Sequence, residues 1–294
     1  MPNDLHCGYV AIIGRPNMGK STLLNKLLGQ KVSITSRKPQ TTRNRILGIK
    51  TKDNIQTIYI DTPGIHDHSK QALNKIMNRA ALSTLSDVDV IIFLVEAQGW
   101  TEQDDFVWQK LENVQCPIIL LLNKVDLVKD KARLLPLIDA LHEKHPGQEI
   151  IPISALTGDN LEHLEQSISQ HLPVATHLFA ADQVTDNSDE FIISEIIREK
   201  ILRLTGQEVP HKAAVKVESM KMEKNVLHIQ ANIWVERKGQ KAIIIGKQGA
   251  KLKEIGTTAR LDLEKVFNCK VFLGLWVKVE TGWSDDESVI GRMM

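Results

Sequence analysis

The stretch "GRPNMGKS" at residues 14–21 constrains the fold more than any other part of this chain. It follows the apolar run "GYVAII" and opens the amphipathic segment "KSTLLNKLL", so the sequence predicts a strand, a turn and a helix in succession. Such a glycine-containing turn lets backbone N–H groups surround phosphate oxygens where the helix begins. The stretch therefore predicts a P-loop, in which Lys20 reaches the outer phosphates of a nucleotide and the Ser21 hydroxyl ligates magnesium.

The chain up to about residue 172 alternates short apolar runs with segments of helical period. The runs "IQTIYID", "DVIIFLVEA", "PIILLLNK" and "EIIPIS" predict further buried strands, and "DNLEHLEQSISQHL" predicts a last helix capped by Asp159 or Asn160. This alternation is typical of an α/β domain with a mostly parallel sheet covered by helices.

Composition narrows the class of protein. With 42% hydrophobic and 25% charged residues the chain resembles a soluble globular protein, and no stretch approaches the roughly 18 apolar residues that cross a bilayer. The three cysteines, Cys7, Cys116 and Cys269, lack the CxxC spacing of zinc or redox sites. We therefore expect a cytoplasmic protein, with contact at a membrane surface left open.

The stretch "LLLNKVDL" ends a predicted strand and predicts recognition of guanine. Asp126 can accept hydrogen bonds from the N1–H and the exocyclic amine of guanine, a donor pair that adenine lacks. Asn123 can brace the loop, the stem of Lys124 can lie over the base, and Ala155 in "ISAL" can offer its backbone N–H to guanine O6. These residues predict GTP and GDP, rather than ATP, as ligands.

The stretch "DTPGI" predicts the sensor of the terminal phosphate. Asp61 would hold magnesium, and the Gly64 N–H would meet the γ-phosphate, so loss of that phosphate would release the loop that follows. A further magnesium ligand is expected from Thr41 or Thr42, of which we favour Thr42. Ile65 stands where Ras-like switches place the glutamine that orients the attacking water, so we expect slow intrinsic hydrolysis.

The predicted nucleotide site is the set of these motif residues. It comprises Gly14, Arg15, Pro16, Asn17, Met18, Gly19, Lys20, Ser21, Thr22, Asp61, Thr62, Pro63, Gly64, Ile65, Asn123, Lys124, Val125, Asp126, Ser154, Ala155 and Leu156. Ser21, Thr42 and Asp61 are the predicted magnesium ligands, and Lys20, Thr42, Gly64 and Asn17 are the predicted catalytic residues.

A second domain follows a segment with little periodicity. We assign residues 1–172 to the nucleotide-binding domain, 173–189 to a linker, 190–281 to the second domain and 282–294 to a tail. "FIISEIIREKILRL" and "AKLKEIGTTARLDLEKVF" predict helices, whereas "AAVKVES", "NVLHIQANIWVE" and "KVFLGLWVKV" alternate at period two. The predicted order is α-β-β-α-α-β.

The loop "GKQG" at residues 246–249 joins the two middle helices and predicts binding of single-stranded RNA. Between residues 211 and 279 the chain holds fourteen Lys/Arg and six Asp/Glu, a balance that favours a polyanionic partner. A GxxG loop in this element order resembles a type II KH domain, whose loop clamps about four nucleotides. The predicted RNA-binding residues are Arg237, Lys238, Lys241, Gly246, Lys247, Gln248, Gly249, Lys251 and Lys253.

Three aromatic residues, Trp234, Phe272 and Trp276, fall on the opposite parity from the apolar face of their strands. They could stack on bases or on a partner. We favour packing beneath the helices.

The ordered motifs resemble the Era family, bacterial ribosome-assembly GTPases of the translation-factor-like class. The resemblance covers nearly the whole chain and includes "GRPNMGKS", "KPQTTRNRILGI", "DTPGI", "NKVD", "DQVTD" and "EIIREKI". It implies a monomeric GTPase switch that binds the 3′ end of 16S ribosomal RNA and acts in maturation of the small ribosomal subunit. The alternatives are a constitutive RNA-binding scaffold with nucleotide as a structural ligand, and a GTPase at the inner membrane surface.

Asn17 resembles the P-loop asparagine with which related GTPases hold a potassium ion beside the β- and γ-phosphates. The alternatives are an asparagine that only braces the loop, and a positive charge supplied by Arg43 or Arg45.

Overall fold

The computed structural model describes residues 4–36, 38, 41–65, 72–206, 209, 213–285 and 290. The chain divides into two compact units. The first comprises Met1–Ser33, Thr42–Ser69 and Met77–Asp186, and the second comprises Ile34–Thr41, Lys70–Ile76 and Asn187–Met294. None of the helices in the described part of the chain is long and apolar enough to cross a membrane.

The first unit is built on a six-stranded sheet with the order β2-β3-β1-β4-β5-β6. The strands are β1 (His6–Ile13), β2 (Ile46–Lys52), β3 (Ile55–Asp61), β4 (Val90–Glu96), β5 (Ile118–Asn123) and β6 (Glu149–Pro152). All neighbouring pairs are parallel except β2 and β3, which are antiparallel. The carboxyl ends of the parallel strands therefore share one edge, where ligands of open α/β sheets bind.

The described helices in this stretch of sequence are α1 (Lys20–Leu28), α2 (Ala72–Ser83), α3 (Glu102–Gln109), α4 (Leu134–Lys144) and α5 (Leu161–His171). The start of α2, up to Ile76, falls in the second unit. Strand β4 is buried along its length, from Val90 to Val95, as expected of a central parallel strand covered on both faces. Helix α1 ends at Gly29, whose φ of +69° gives a left-handed cap of the kind that glycine commonly forms. Asn160 precedes α5 as its N-cap residue, without a side-chain capping bond.

The chain after α5 stays attached to the sheet of the first unit, although its sequence shows little periodicity. Gln56 on β3 is fully buried, and its Oε1 accepts from the backbone N–H groups of Leu178 and Phe179 at 2.8 and 2.9 Å. Its Nε2 donates to the Phe179 carbonyl at 2.9 Å. Further along, Ile49 N–H donates to the Val184 carbonyl at 2.7 Å. This segment is therefore held against the sheet by hydrogen bonds, whereas the helices and strands are held by a periodic apolar face.

The second unit has the predicted order α-β-β-α-α-β. Its elements are α6 (Asp189–Leu204), β7 (Ala213–Glu223), β8 (Val226–Val235), α7 (Lys238–Ile245), α8 (Ala250–Phe267) and β9 (Lys270–Val279). The sheet order is β7-β8-β9, with the first pair antiparallel and the second parallel. Alternate β8 residues Leu227, Ile229, Ala231, Ile233 and Val235 enter the core with α6, α7 and α8.

The aromatic residues Trp234, Phe272 and Trp276 lie on the face of this sheet that is opposite the core. Phe272 and Trp276 are 52% and 51% exposed, so the prediction that they pack beneath the helices is wrong. The physical reason is that the helices cover the face formed by the other parity of β9, which includes Val271 and Val277. Trp234 is half-buried, with Lys278 Nζ 5.1 Å from its ring centroid.

The chain after β9 continues into packed structure. Trp283 is 1% exposed, and Ser284 donates through its N–H and its hydroxyl to Glu236 Oε1 at 3.2 and 2.5 Å. The domain boundaries at 172, 189 and 281 remain predictions.

Candidate nucleotide site and nucleic-acid loop

The P-loop runs from the end of β1 to the start of α1. Two of its glycines, Gly14 and Gly19, lie where a larger side chain would collide with neighbouring atoms. Gly14 has φ of +154°, and a Cβ there would lie 2.7 Å from the Leu94 carbonyl oxygen. Gly19 has φ of +98°, and a Cβ there would lie 2.5 Å from Asn123 Nδ2. Close approach of backbone and side chains therefore requires glycine at both positions.

Lys20 occupies the first turn of α1 and is 6% exposed. Its Nζ donates to the carbonyl oxygens of Gly14 and Arg15 at 2.9 and 3.0 Å. Burial lowers the pKa of Lys20 to about 8, an effect that the Asp61 carboxylate opposes. The ammonium group is thus held inside the loop that the sequence predicts to surround phosphate.

A cluster of oxygen atoms forms around Asp61 at the end of β3. Asp61 Oδ2 accepts from the hydroxyls of Ser21 at 2.6 Å, Ser33 at 2.9 Å and Thr42 at 3.3 Å. Asp61 Oδ1 is buried and has no hydrogen-bond partner among the described residues. Burial raises the pKa of Asp61, an effect opposed by these hydroxyls and by Lys20. A carboxylate oxygen and hydroxyls are hard ligands suited to magnesium, so the residues fit the predicted ion.

The two candidate threonines differ in their contacts. The Thr42 hydroxyl lies 2.8 Å from Ser21 Oγ, within the Asp61 cluster. The Thr41 hydroxyl donates instead to the Lys38 carbonyl at 2.6 Å. The geometry thus favours Thr42 as the ligand, as the sequence interpretation does.

The residues of the "DTPGI" stretch pack tightly against the P-loop. A Cβ on Gly64 would lie 2.8 Å from the backbone nitrogen of Pro16, so no larger residue fits without movement. Ile65 is 3% exposed and packs in the core with Phe93, so its side chain does not line the site. The loop predicted to respond to the γ-phosphate continues through residues 66–71, which lie outside the described residues.

The three candidates for an additional positive charge have different surroundings. Asn17 is exposed, with φ of +65°, whereas Arg43 is 3% exposed. Arg45 is exposed. Because Asn17 is exposed at the P-loop, its side chain is available to a ligand. The side chain of Arg43 is buried and is not available in the same way.

The predicted guanine loop is braced from both sides. Asn123 is 2% exposed, and its Nδ2 donates to the Met18 carbonyl at 2.7 Å. Its Oδ1 accepts from the Ala155 N–H at 2.9 Å. The N–H predicted to meet guanine O6 is therefore engaged within the protein, and recognition of O6 requires that this bond be shared.

Asp126 is exposed and oriented for base recognition by a buried neighbour. Its Oδ1 accepts from the Ser154 hydroxyl at 2.6 Å, and Ser154 is fully buried. Ser154 also accepts from the Thr157 N–H at 3.2 Å. One carboxylate edge is thus fixed while the side chain stays accessible.

An ion-pair network that the sequence analysis missed connects the P-loop to the guanine loop. Glu96, at the end of β4, pairs with Lys124 at 2.8 Å and with Arg15 at 3.5 Å. Arg15 Nε also donates to Asp104 Oδ1 at 3.0 Å, and Asp104 is fully buried in the capping box of α3. Glu96 therefore bridges side chains from both nucleotide-binding motifs.

The remaining predicted site residues fall into two groups. Met18, Thr62, Pro63 and Val125 are buried supports of the loops, and Thr62 donates to the Ile12 carbonyl at 2.8 Å. Pro16 and Thr22 are partly exposed, and Leu156 is 71% exposed.

The GxxG loop of the second unit has the backbone that its glycines predict. Gly246 has φ of +70° and ψ of −179°, a region open essentially to glycine alone, and Gly249 has φ of +79°. A Cβ on Gly246 would lie 2.6 Å from Lys251 Cβ, whereas one on Gly249 would meet nothing within 4 Å. Among the predicted RNA-binding residues, Arg237, Lys238, Lys247, Gln248 and Lys253 are exposed, and Lys241 and Lys251 are partly exposed.

Comparison with known proteins decides the family. Residues 9–124 match the family model of the 50S ribosome-binding GTPase, and residues 208–284 match that of the KH domain. GTPase Era of Ectopseudomonas mendocina is 54% identical over 284 residues, which cover 97% of this chain and 95% of that protein. The chain belongs to the Era family.

Solved structures of Era give the same result. A variant of Aquifex aeolicus Era bound to GDP·AlF4⁻ matches with a TM-score of 0.96 and 43% identity, over 98% of this chain and 99% of that one. Era in complex with MgGDPNP and nucleotides 1506–1542 of 16S ribosomal RNA matches with a TM-score of 0.96 and 44% identity, over 98% of both chains. As a member of the Era family, this chain is a GTPase with a carboxy-terminal KH domain, which confirms the predicted fold class and enzyme class.

Proposed function

We propose that this GTPase is a switch in which the bound nucleotide controls the affinity of the KH domain for the 3′ end of 16S ribosomal RNA during small-subunit maturation. The observation that carries the proposal is the presence of a phosphate-sensing cluster and a GxxG loop in one chain. The related Era bound to MgGDPNP and 16S nucleotides 1506–1542 supports the choice of RNA.

The nucleotide half of the proposal assigns a task to each part of the site. P-loop N–H groups and Lys20 bind the β- and γ-phosphates, and Asp126 selects guanine. Ser21, Thr42 and Asp61 would hold magnesium, which would supply positive charge to the phosphates. Because Ile65 is buried, no side chain at that position orients water, and slow turnover suits a timer.

The source of the remaining positive charge is a separate part of the proposal. Asn17 would hold a potassium ion at the P-loop, consistent with its exposed side chain. Hydrolysis should then be faster in potassium chloride than in sodium chloride, and an Asn17→Ala variant should lose that difference. Equal rates of the unaltered protein in both salts would contradict the potassium site.

The RNA half depends on the GxxG loop. Its glycines let backbone N–H groups approach the RNA closely, and Lys247 adds charge at the contact. Unstacked bases would lie beside the loop, as in other KH domains.

The test is a double substitution, Gly246→Asp with Lys247→Asp. We expect it to abolish binding of an RNA with the sequence of 16S nucleotides 1506–1542 while GDP affinity is unchanged, as measured by fluorescence anisotropy and calorimetry. Lys265→Asp, a charge reversal at a side chain that is 80% exposed near the end of α8, is the control. Retained RNA affinity in the double variant would refute the assignment of the loop.

A further inference from the structure

The outer sheet face, defined as the side of β7, β8 and β9 opposite the core and carrying Phe272 and Trp276, has no role in the function described above. The core cluster contains the other parity of β9, together with Ile244 of α7 and Ile255 of α8. The GxxG loop joins those two helices. The outer sheet face is therefore separate from the GxxG loop.

Large aromatic rings on this face are open to solvent. Phe272 is 52% exposed and Trp276 is 51% exposed, four residues apart on one strand. The ring of His228, opposite Phe272 on β8, lies 5.3 Å from the Phe272 ring at an interplanar angle of 33°. Ring faces in this arrangement offer stacking surface to a flat ligand.

The surface between the two exposed rings contains an unsatisfied hydrogen-bond acceptor. Gly274 lies between Phe272 and Trp276, and a Cβ there would lie 2.0 Å from Gln230 Oε1 and 2.9 Å from the Trp276 ring. Gln230 Oε1 is buried and lacks a hydrogen-bond partner within the described ranges. An amino group beside the Trp276 ring would satisfy this acceptor once the Gln230 side chain rotated outward.

Positive charge surrounds the rings. Lys270 and Lys278 flank them on β9, and Lys216 and Lys221 are exposed on β7, opposite Asn232 and His228 of β8. Glu218, at the bulge of β7, accepts from Asn232 at 2.5 Å. The surface thus combines exposed rings with an excess of lysine.

This combination distinguishes between classes of partner. Lysine is depleted at protein–protein interfaces, even though aromatic residues are enriched there. Single-stranded nucleic acid requires both features, because its bases stack on rings while its phosphates attract cations. The charge complementarity therefore favours RNA over a protein.

We propose that the outer sheet face is a second site for single-stranded RNA, on which bases stack against Phe272 and Trp276 while the lysines contact phosphates. The inference rests on the proposed RNA-binding function and extends it: an RNA held at the GxxG loop would continue, or fold back, onto the opposite side of the same domain.

The test uses the full chain and an RNA with the sequence of 16S nucleotides 1506–1542, with 4-thiouridine in place of uridine for photocrosslinking. Phe272→Ala and Trp276→Ala should each weaken affinity by roughly fivefold or more, the lower end of what a stacked base contributes. Phe272→Tyr and Trp276→Phe, which keep a ring, should restore most of it. Crosslinks should map to peptides of both β9 and the GxxG loop.

The charged residues give an independent readout. The salt dependence is the slope of the logarithm of the binding constant against the logarithm of the salt concentration. Replacing Lys216 and Lys221 together by Ala should reduce the magnitude of this slope by about 1.4, because each phosphate contact on a single strand contributes about 0.7. The aromatic substitutions should leave that slope unchanged, because stacking releases no counterions.

The outcomes separate the two proposals. If the Gly246→Asp, Lys247→Asp variant loses RNA while both alanine variants bind normally and crosslinks map to the loop alone, the outer sheet face is not an RNA site and the proposed function stands. If the unaltered chain does not bind this RNA, both proposals fail. If Trp276→Ala instead abolishes sedimentation with anionic phospholipid vesicles without any change in RNA affinity, the face binds membranes and the inference is wrong.

Discussion

Glu96 connects the two halves of the nucleotide site at the level of single residues. It pairs with Lys124 of the guanine loop and with Arg15 of the P-loop, and its side chain is 21% exposed. An ion pair that is partly buried and shared between two loops fixes the relative positions of both. We expect Glu96 to be a positioning residue, which affects nucleotide binding through its two partners.

The substitution Glu96→Gln keeps the size of the side chain and removes its charge. We expect the affinity for GDP to fall about fivefold, the equivalent of about 1 kcal/mol for a pair near the surface. Calorimetric titration would measure the change, with Glu102→Gln on the exposed start of α3 as the control. Equal affinities of the two variants would mean that Glu96 has no positioning role.

Sequence reasoning found residues of this site that sit in local motifs and missed those that depend on tertiary contacts. Lys20, Asp61 and Asp126 stand in short patterns whose geometry is local. Glu96 and Asp104 reach the site only because the carboxyl end of β4 and the start of α3 come close to the P-loop, and no spacing along the chain signals this.

At the scale of elements, the segment after α5 shows how a stretch without periodicity is ordered. Gln56 supplies the hydrogen bonds that a neighbouring strand would otherwise provide to Leu178 and Phe179. The sequence could not reveal this because a single buried glutamine leaves no periodic signal.

Removing the Gln56 side chain by Gln56→Ala should leave two backbone N–H groups without partners. The expected loss is about 2–6 kcal/mol of local stability, because each of the two unsatisfied groups costs about 1–3 kcal/mol. Native-state hydrogen exchange of the Leu178 and Phe179 amides would show it as faster exchange. Gln166→Ala, an exposed change on α5, should leave both amides protected, and unchanged protection in Gln56→Ala would contradict the account.

The GxxG loop offers a comparison between its two glycines. Gly246→Ala meets the side chain and backbone of Lys251 and occupies a backbone region open essentially to glycine, whereas Gly249→Ala meets open space in the left-handed region. We expect losses of about 2–3 kcal/mol for the first and about 1 kcal/mol for the second. Urea denaturation of the two variants measures the difference, and a larger loss for Gly249→Ala would refute the loop geometry.

Strand prediction succeeded where apolar residues form a continuous or alternating run and failed at β2, one edge of the first sheet. Buried strands such as β4 give continuous apolar runs, which the sequence shows clearly. Strand β2, Ile46–Lys52, was missed because its sequence "ILGIKTK" contains glycine and lysine, and it is ordered by antiparallel pairing with β3.

At the scale of the whole molecule, the chain crosses between its two units on either side of residues 34–41. Ser33 and Thr42, which flank this segment, both donate to Asp61 in the first unit. The segment itself belongs to the second unit, where Thr35 N–H donates to Glu199 at 3.1 Å and Arg198 donates to the Thr41 carbonyl. We therefore expect a change at the proposed magnesium ligands to reach α6 through the backbone of this segment.

Arg198→Ala tests this connection. Arg198 is 4% exposed and also pairs with Glu195, so the variant should remove the contact to Thr41. We expect the difference in RNA affinity between the GTP-analogue and GDP states to shrink, with nucleotide affinity itself little changed. Arg260→Ala, which removes a surface pair with Glu264, is the control, and circular dichroism would show that both variants are folded.

We propose that the guanine nucleotide controls RNA binding. The most direct measurement is the affinity of the unaltered chain for an RNA with the sequence of 16S nucleotides 1506–1542, determined with GDP and with a non-hydrolysable GTP analogue at one salt concentration. We expect tighter binding with the analogue. Equal affinities in the two states would contradict it and would leave a constitutive RNA-binding protein in which nucleotide has a structural role.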